Sequence, residues 1–145
     1  MRFSHVALNC RDMAATERFY GRHFGFQRVR AVDLGGGKQI VYVRSGAVTL
    51  ELFAAAGDSP DNANDGPETV GMRHLAFQVD DVDAAVASLG SDAQVTLGPL
   101  DFSAFIPGWK TTWVRDPDGN IVEISQGYQD DPQLTREPVL AGGHA

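Results

Sequence analysis

The chain repeats itself. "HVALNCRDMAA" at 5–15 aligns with "HLAFQVDDVDAA" at 74–85, and "TLELF" at 49–53 aligns with "IVEIS" at 121–125. In each copy a histidine opens an alternating apolar stretch, an aspartate follows seven residues on (Asp12, Asp81), and an alanine pair lies near the start of the next segment. His5 stands 46 residues before Glu51, and His74 stands 49 before Glu123. Such a duplication restricts the fold more than any local propensity does. Each copy must form the same supersecondary unit and bury its apolar face against something.

Pattern within the copies names the elements. "RFSHVALN" at 2–9 alternates and reads as a strand. Asp12 can cap a helix through "MAATERFYGRHF" that stops at Gly25, with Phe19, Tyr20 and Phe24 on its apolar side. "FQRVRAV", "KQIVYVR" and "AVTLELFA" follow as three strands joined by the glycine turns "DLGGG" and "SG". Residues 55–71, "AAGDSPDNANDGPETVG", have linker composition. The pattern then restarts with "MRHLAFQV" as a strand and "DDVDAAVASLG" as a short capped helix. "AQVTL", "KTTWVR" and "NIVEIS" are the next three strands, with a type I turn at "DPDG", 116–119. The expectation is a single domain over 1–126 built from modules 2–54 and 72–126, followed by a tail at 127–145. Each module reads βαβββ. The fold class is α+β, with a curved mixed-sheet cup and the helices outside.

Composition narrows the function classes. A chain of 145 residues at 43% hydrophobic content can bury a core. A net charge of −7 weighs against nucleic acid and anionic membrane surfaces as partners, though a local cation can still receive a small anion. The single cysteine, Cys10, excludes an intrachain disulfide framework and suits a reducing compartment. No apolar run has the length of a membrane span, and "MRFSHVALNC" lacks a signal-peptide core. A cytoplasmic location is expected.

The repeat puts a histidine on the first strand of each half and a glutamate on the last. If those strands are neighbours, each His faces its Glu. Val6, Leu50, Leu52, Leu75, Val122 and Ile124 then point to the opposite, core-facing side. Two such units related by a pseudo-twofold bring His5, Glu51, His74 and Glu123 together in the hollow, a set that suits a divalent metal. The metal charge would stabilise an ionised Glu123 among apolar neighbours. In "PLDFSAFIPGWKTTW" at 99–113, Phe102, Phe105, Trp109 and Trp113 can form an aromatic lid for a hydrophobic substrate, or pack against the sheet or a partner chain. Arg73, Lys110 and Arg115 are candidates for anionic substrate groups, or are solvated surface charges. Cys10 reads as a small buried residue, and "GGGK" at 35–38 as a hairpin turn without the remainder of a phosphate loop.

The paired units, the His–Glu–His–Glu set, "FYGRHFGF" and "VRDPDGNIVEI" together resemble the vicinal oxygen chelate superfamily, the glyoxalase/bleomycin resistance protein/dioxygenase group, over roughly residues 2–126. By that resemblance His5, Glu51, His74 and Glu123 fall on the four metal-ligand positions, for one divalent ion such as Ni, Co, Zn, Mn or Fe. A glutamate at the second position is similar to glyoxalase I; epimerases usually have Gln there, and dioxygenases and fosfomycin enzymes use two His and one Glu. The resemblance implies a lyase or isomerase, lactoylglutathione lyase-like, acting on a small carbonyl or thiohemiacetal-like substrate through an enediolate. Glu123 would move the proton, with Glu51 as its counterpart, and Phe105, Trp109, Trp113 and Arg115 would bind substrate. Asn9 stands where glutathione-using relatives commonly place an Arg. The alternatives are an Fe(II) extradiol dioxygenase-like oxygenase, an epimerase, or a non-catalytic ligand- or drug-sequestering protein. The family often pairs chains, so a homodimer is expected, its site lying within one chain or shared between two.

Overall fold

The computed structural model describes residues 2–58 and 70–133. Most of the linker at 55–71 and the tail beyond 133 lie outside the described residues. The first half runs β1 (Val6–Cys10), α1 (Met13–Phe24), β2 (Gln27–Gly35), β3 (Lys38–Ser45) and β4 (Val48–Ala54). The second runs β5 (Leu75–Gln78), α2 (Val82–Leu89), a 3-10 turn over Gly90–Asp92, β6 (Gln94–Asp101), β7 (Lys110–Arg115) and β8 (Ile121–Gln126). The α+β class and the paired βαβββ units are as the repeat predicts.

Both helices begin on the aspartates that the repeat singles out. The Asp12 carboxylate accepts from Ala14 N–H at 2.9 Å and Ala15 N–H at 3.1 Å, and the Asp81 carboxylate accepts from Ala84 N–H at 2.9 Å. Gly25 ends α1 in the left-handed region, φ 69°, which a side chain would disfavour.

The strands form two four-stranded sheets ordered β1-β4-β3-β2 and β5-β8-β7-β6. In each, the first strand lies parallel to the last and the other pairs are antiparallel. Within one chain the mixed sheet is therefore divided, and β1 and β5 each occupy an edge. Both first strands are shorter than their alternation implies. β1 starts at Val6 opposite Leu50, and β5 starts at Leu75 opposite Val122, close to where β4 and β8 themselves begin. With little partner strand left to pair with, His5 and His74 fall just outside the ladders.

The core collects one face of each sheet. Leu50, Leu52, Val41 and Val43 from the first half are buried with Val114, Val122 and Ile124 from the second. Helix α1 joins the two: the Phe24 ring stacks on Phe77 of β5 with centroids 4.4 Å apart, and Tyr20 lies fully buried beside them.

Polar ties follow the same seam and converge on the β7–β8 turn. Gly119 N–H donates to Asp116 O at 3.0 Å, closing the turn. The Asp116 carboxylate accepts from the backbone of Asp118 and Asn120, from the Asn120 amide and, at 2.8 Å, from the Tyr20 hydroxyl of α1. Burial pushes the Asp116 carboxyl above its ordinary value, opposed by these hydrogen bonds. Asp118 accepts from Arg11 N–H at 2.6 Å and from the Thr16 hydroxyl. No helix among the described residues is long and apolar enough to cross a membrane.

Candidate functional site

Ladder register places the four singled-out residues. In the first half Ala7 lies opposite Glu51, so His5, two residues earlier on the same face, reaches it. His5 Nε2 stands 3.0 Å from Glu51 Oε2. The β3–β4 hairpin sets Tyr42 opposite Glu51, and the Tyr42 hydroxyl donates to Glu51 Oε1. That bond to an anionic acceptor holds the phenol proton, raising its pKa above the usual tyrosine value. The His5 and Tyr42 rings meet edge to face at 6.0 Å.

The second half repeats the arrangement with a different donor. Ala76 lies opposite Glu123, and His74 Nε2 stands 2.9 Å from Glu123 Oε2. Trp113 occupies the register position of Tyr42, and its indole Nε1–H donates to the same Glu123 Oε2 at 3.1 Å. Both oxygens of Glu51 are therefore engaged, whereas both contacts to Glu123 fall on one oxygen. The two carboxylates are mostly covered, at 12% and 13% side-chain exposure. An imidazole and a hydrogen-bond donor at each are what offset that burial. His74 Nδ1 is buried and has no partner among the described residues.

Within one chain these remain two pairs. Among the described residues no group of three or more His, Cys, Asp or Glu side chains is gathered closely enough to hold a metal ion. The donor set itself, two imidazoles and two carboxylates, fits a divalent first-row ion. Two donors about 2.1 Å from one ion and at right angles would stand about 3 Å apart, which is the separation within each pair.

The aromatic stretch divides. Trp109 lines a cavity of about 310 Å³ together with His74, Glu123, Ser125 and Tyr128. It is fixed there by Nε1–H donation to Ser125 Oγ at 3.1 Å and by ring contacts to Phe102 at 4.7 Å and Tyr128 at 5.9 Å. Trp113 is buried in β7 behind Glu123, to which it is bonded, and does not line this cavity. Phe105 is 78% exposed and takes no part in this cavity. Arg115 donates to Gly119 O at 3.2 Å and borders a separate cleft beside α1. Lys110 pairs with Asp83. Cys10 is fully buried, and burial pushes its thiol up to about 12.

The sequence pattern does not single out Tyr42, Ser125 or Tyr128. For Tyr42 a signal existed. Counting outward from the "SG" turn pairs Ser45 with Val48 and thus Tyr42 with Glu51, as counting from "DPDG" pairs Trp113 with Glu123.

Comparison with known proteins adds the family. Residues 2–124 match the model of the Glyoxalase/Bleomycin resistance protein/Dioxygenase superfamily. The chain is 33% identical over 129 residues to the uncharacterized protein YaeR of Escherichia coli (strain K12), covering 83% of this chain and 92% of that one. It is similar in structure to the glyoxalase family protein from Enterococcus faecalis, with 28% identity, TM-score 0.66, and coverage of 86% of this chain and 96% of the other. It is also similar to the lactoylglutathione lyase from Agrobacterium tumefaciens, with 28% identity, TM-score 0.56, and coverage of 87% and 93%. With both repeats and both His–Glu pairs inside the matched span, the chain belongs to the glyoxalase/bleomycin resistance protein/dioxygenase superfamily.

Proposed function

We propose that the protein is a cytoplasmic, metal-dependent lyase or isomerase of the glyoxalase I kind, acting on a small carbonyl or thiohemiacetal-like substrate. One divalent ion would be held by His5 and Glu51 of one copy and His74 and Glu123 of a second. The observation that carries this is the pairing itself. Two His–Glu pairs with nearly the same separation sit at matched register positions, and a single chain does not unite them. The edge strands β1 and β5, which carry Ala7 and Ala76 beside these pairs, are available to a second copy. The likeness to a lactoylglutathione lyase and the glutamate at position 51 support the reaction class.

When bound, the ion supplies Lewis-acid polarisation of a carbonyl oxygen and so acidifies the neighbouring carbon. Glu123 is the group to move the proton. Trp113 donates to its Oε2, the oxygen that faces His74 and would share the ion with it, and its Oε1 is left for the substrate C–H. The C–H electron pair would stay with the substrate while Glu123 holds the proton and returns it to the adjacent carbon; the hydroxyl proton passes to the neighbouring oxygen, so the isomerisation involves no net oxidation. Glu51, whose Oε1 is held by the Tyr42 hydroxyl and whose Oε2 faces His5, would serve as a ligand through Oε2. Trp109 and Tyr128 supply an aromatic wall that accepts a hydrophobic substrate group. That wall also favours a second reading, an Fe(II) oxygenase acting on catechols, which Glu51 at the second ligand position opposes.

Metal analysis of loaded protein tests the proposal. The expected result is one ion per chain, and absence of stoichiometric binding of Ni, Co, Zn, Mn or Fe overturns it. Turnover of methylglyoxal–thiol adducts, with no oxygen uptake on catechols, separates the two readings. Sharing between chains is tested by mixing His5→Ala with His74→Ala. In a random two-chain assembly about a quarter of the sites regain all four ligands, and no recovery would show that the site lies within one chain.

A further inference from the structure

A cleft of about 490 Å³ opens between α1, the Gly90–Asp92 turn and the end of β7. It shares no lining residue with the cavity beside Glu123. Three arginines border it: Arg18 and Arg22, one turn apart on α1, and Arg115 of β7. The chain has 12 Lys and Arg against 19 Asp and Glu, so three guanidinium groups in one concavity invert the prevailing sign there.

Neither acidic residue of the wall pairs with Arg18 or Arg22. The Asp92 carboxylate is paired with His23 at 2.9 Å, and the buried Asp116 carboxylate with Tyr20 and Asn120. Arg18 and Arg22 are exposed, and their guanidinium groups make no ion pair or hydrogen bond among the described residues. Like charges at i and i+4 repel along a helix, a cost that a bound anion would remove. Phe19 and Pro117 give the same cleft an apolar surface.

We propose that this cleft is a second ligand site, for a small organic phosphate. Guanidinium forks match phosphate oxygens two at a time. A phosphate monoester presents more charge and one more terminal oxygen than a carboxylate, which suits three arginines on two elements. The volume suits a small molecule whose organic part rests on Phe19 and Pro117. The site is independent of the His–Glu pairs and operates in metal-free protein.

Isothermal titration of the full chain with phenyl phosphate at constant ionic strength tests it, with inorganic phosphate and benzoate as comparators. Saturable binding is expected, tighter than for either comparator. Arg18→Ala/Arg22→Ala should weaken it at least about tenfold, while Lys38→Ala on the distant β2–β3 turn leaves it unchanged. Both substitutions of the double variant lie on the exposed face of α1, and thermal melting checks that the fold persists. Three results would each overturn the assignment: no saturation up to about 10 mM, equal binding of inorganic phosphate or benzoate, or equal weakening by Lys38→Ala.

Discussion

The two halves carry the same His–Glu pair on the same parallel strand pair, yet they differ in what steadies the carboxylate and in what surrounds it. In the first half a phenol hydroxyl and an imidazole take one oxygen each of Glu51. In the second an indole N–H and an imidazole share one oxygen of Glu123, beside a cavity walled by Trp109 and Tyr128. The connection between the second and third strands of each half diverges as well. A glycine hairpin joins β2 to β3, whereas the aromatic Phe102–Trp109 segment joins β6 to β7. Duplication preserved the positions from which donors project, and divergence changed their neighbours. Under the proposed function one half would serve as anchor and the other as anchor plus reaction chamber.

The largest expected effect tests whether the halves are equivalent as anchors. His5→Ala and His74→Ala should each lower metal affinity by at least about 100-fold, measured by chelator competition. A large loss in only one would break the symmetry. Next, Glu123→Gln should lower kcat by about 10²- to 10⁴-fold, the worth of a proton-transfer group. Glu51→Gln should instead act mainly through metal affinity, and equal kcat losses at saturating metal would erase the assigned difference.

Asp116→Ala should cost about 3 kcal/mol near neutral pH in chemical denaturation, because it strands the buried Tyr20 hydroxyl and the turn. It should also remove a pH dependence. The folded-state pKa of Asp116 is raised, so the protonation-linked part of its contribution is fully present below the ordinary carboxylate value and is lost as pH rises through the raised one, while the hydrogen bonds to Tyr20 and the turn persist. The variant should therefore show a flatter loss of stability over that rise.

Gly127→Ala should cost about 2 kcal/mol and disturb Trp109 fluorescence. Gly127 has φ 74°, and a Cβ there would lie 2.3 Å from Gly108 O and 3.0 Å from Trp109 N. The smallest effects sharpen the donor contrast. Tyr42→Phe and Trp113→Phe should each cost about 1 kcal/mol, with only Trp113→Phe changing turnover.

The repeat made the elements, both aspartate caps, the β7–β8 turn and both His–Glu pairs legible, because each depends on local spacing or on a ladder anchored by a turn. Strand limits at His5 and His74 were not, since a parallel ladder ends where its partner ends. Nor was the placing of Phe105 and Arg115. An aromatic or basic residue in a suggestive run can face solvent or a neighbouring cleft, and only tertiary packing decides which. Whether the four proposed ligands meet within one chain or across two is likewise a question of how the halves are docked, which spacing along the chain does not encode.

The β7–β8 turn belongs by sequence to the second half, but its two aspartates grip the first helix. Melting either half removes the other's clasp and uncovers the Phe24–Phe77 stack at once. The duplicated parts should therefore unfold together in one calorimetric transition, so that a lesion in one is felt in both.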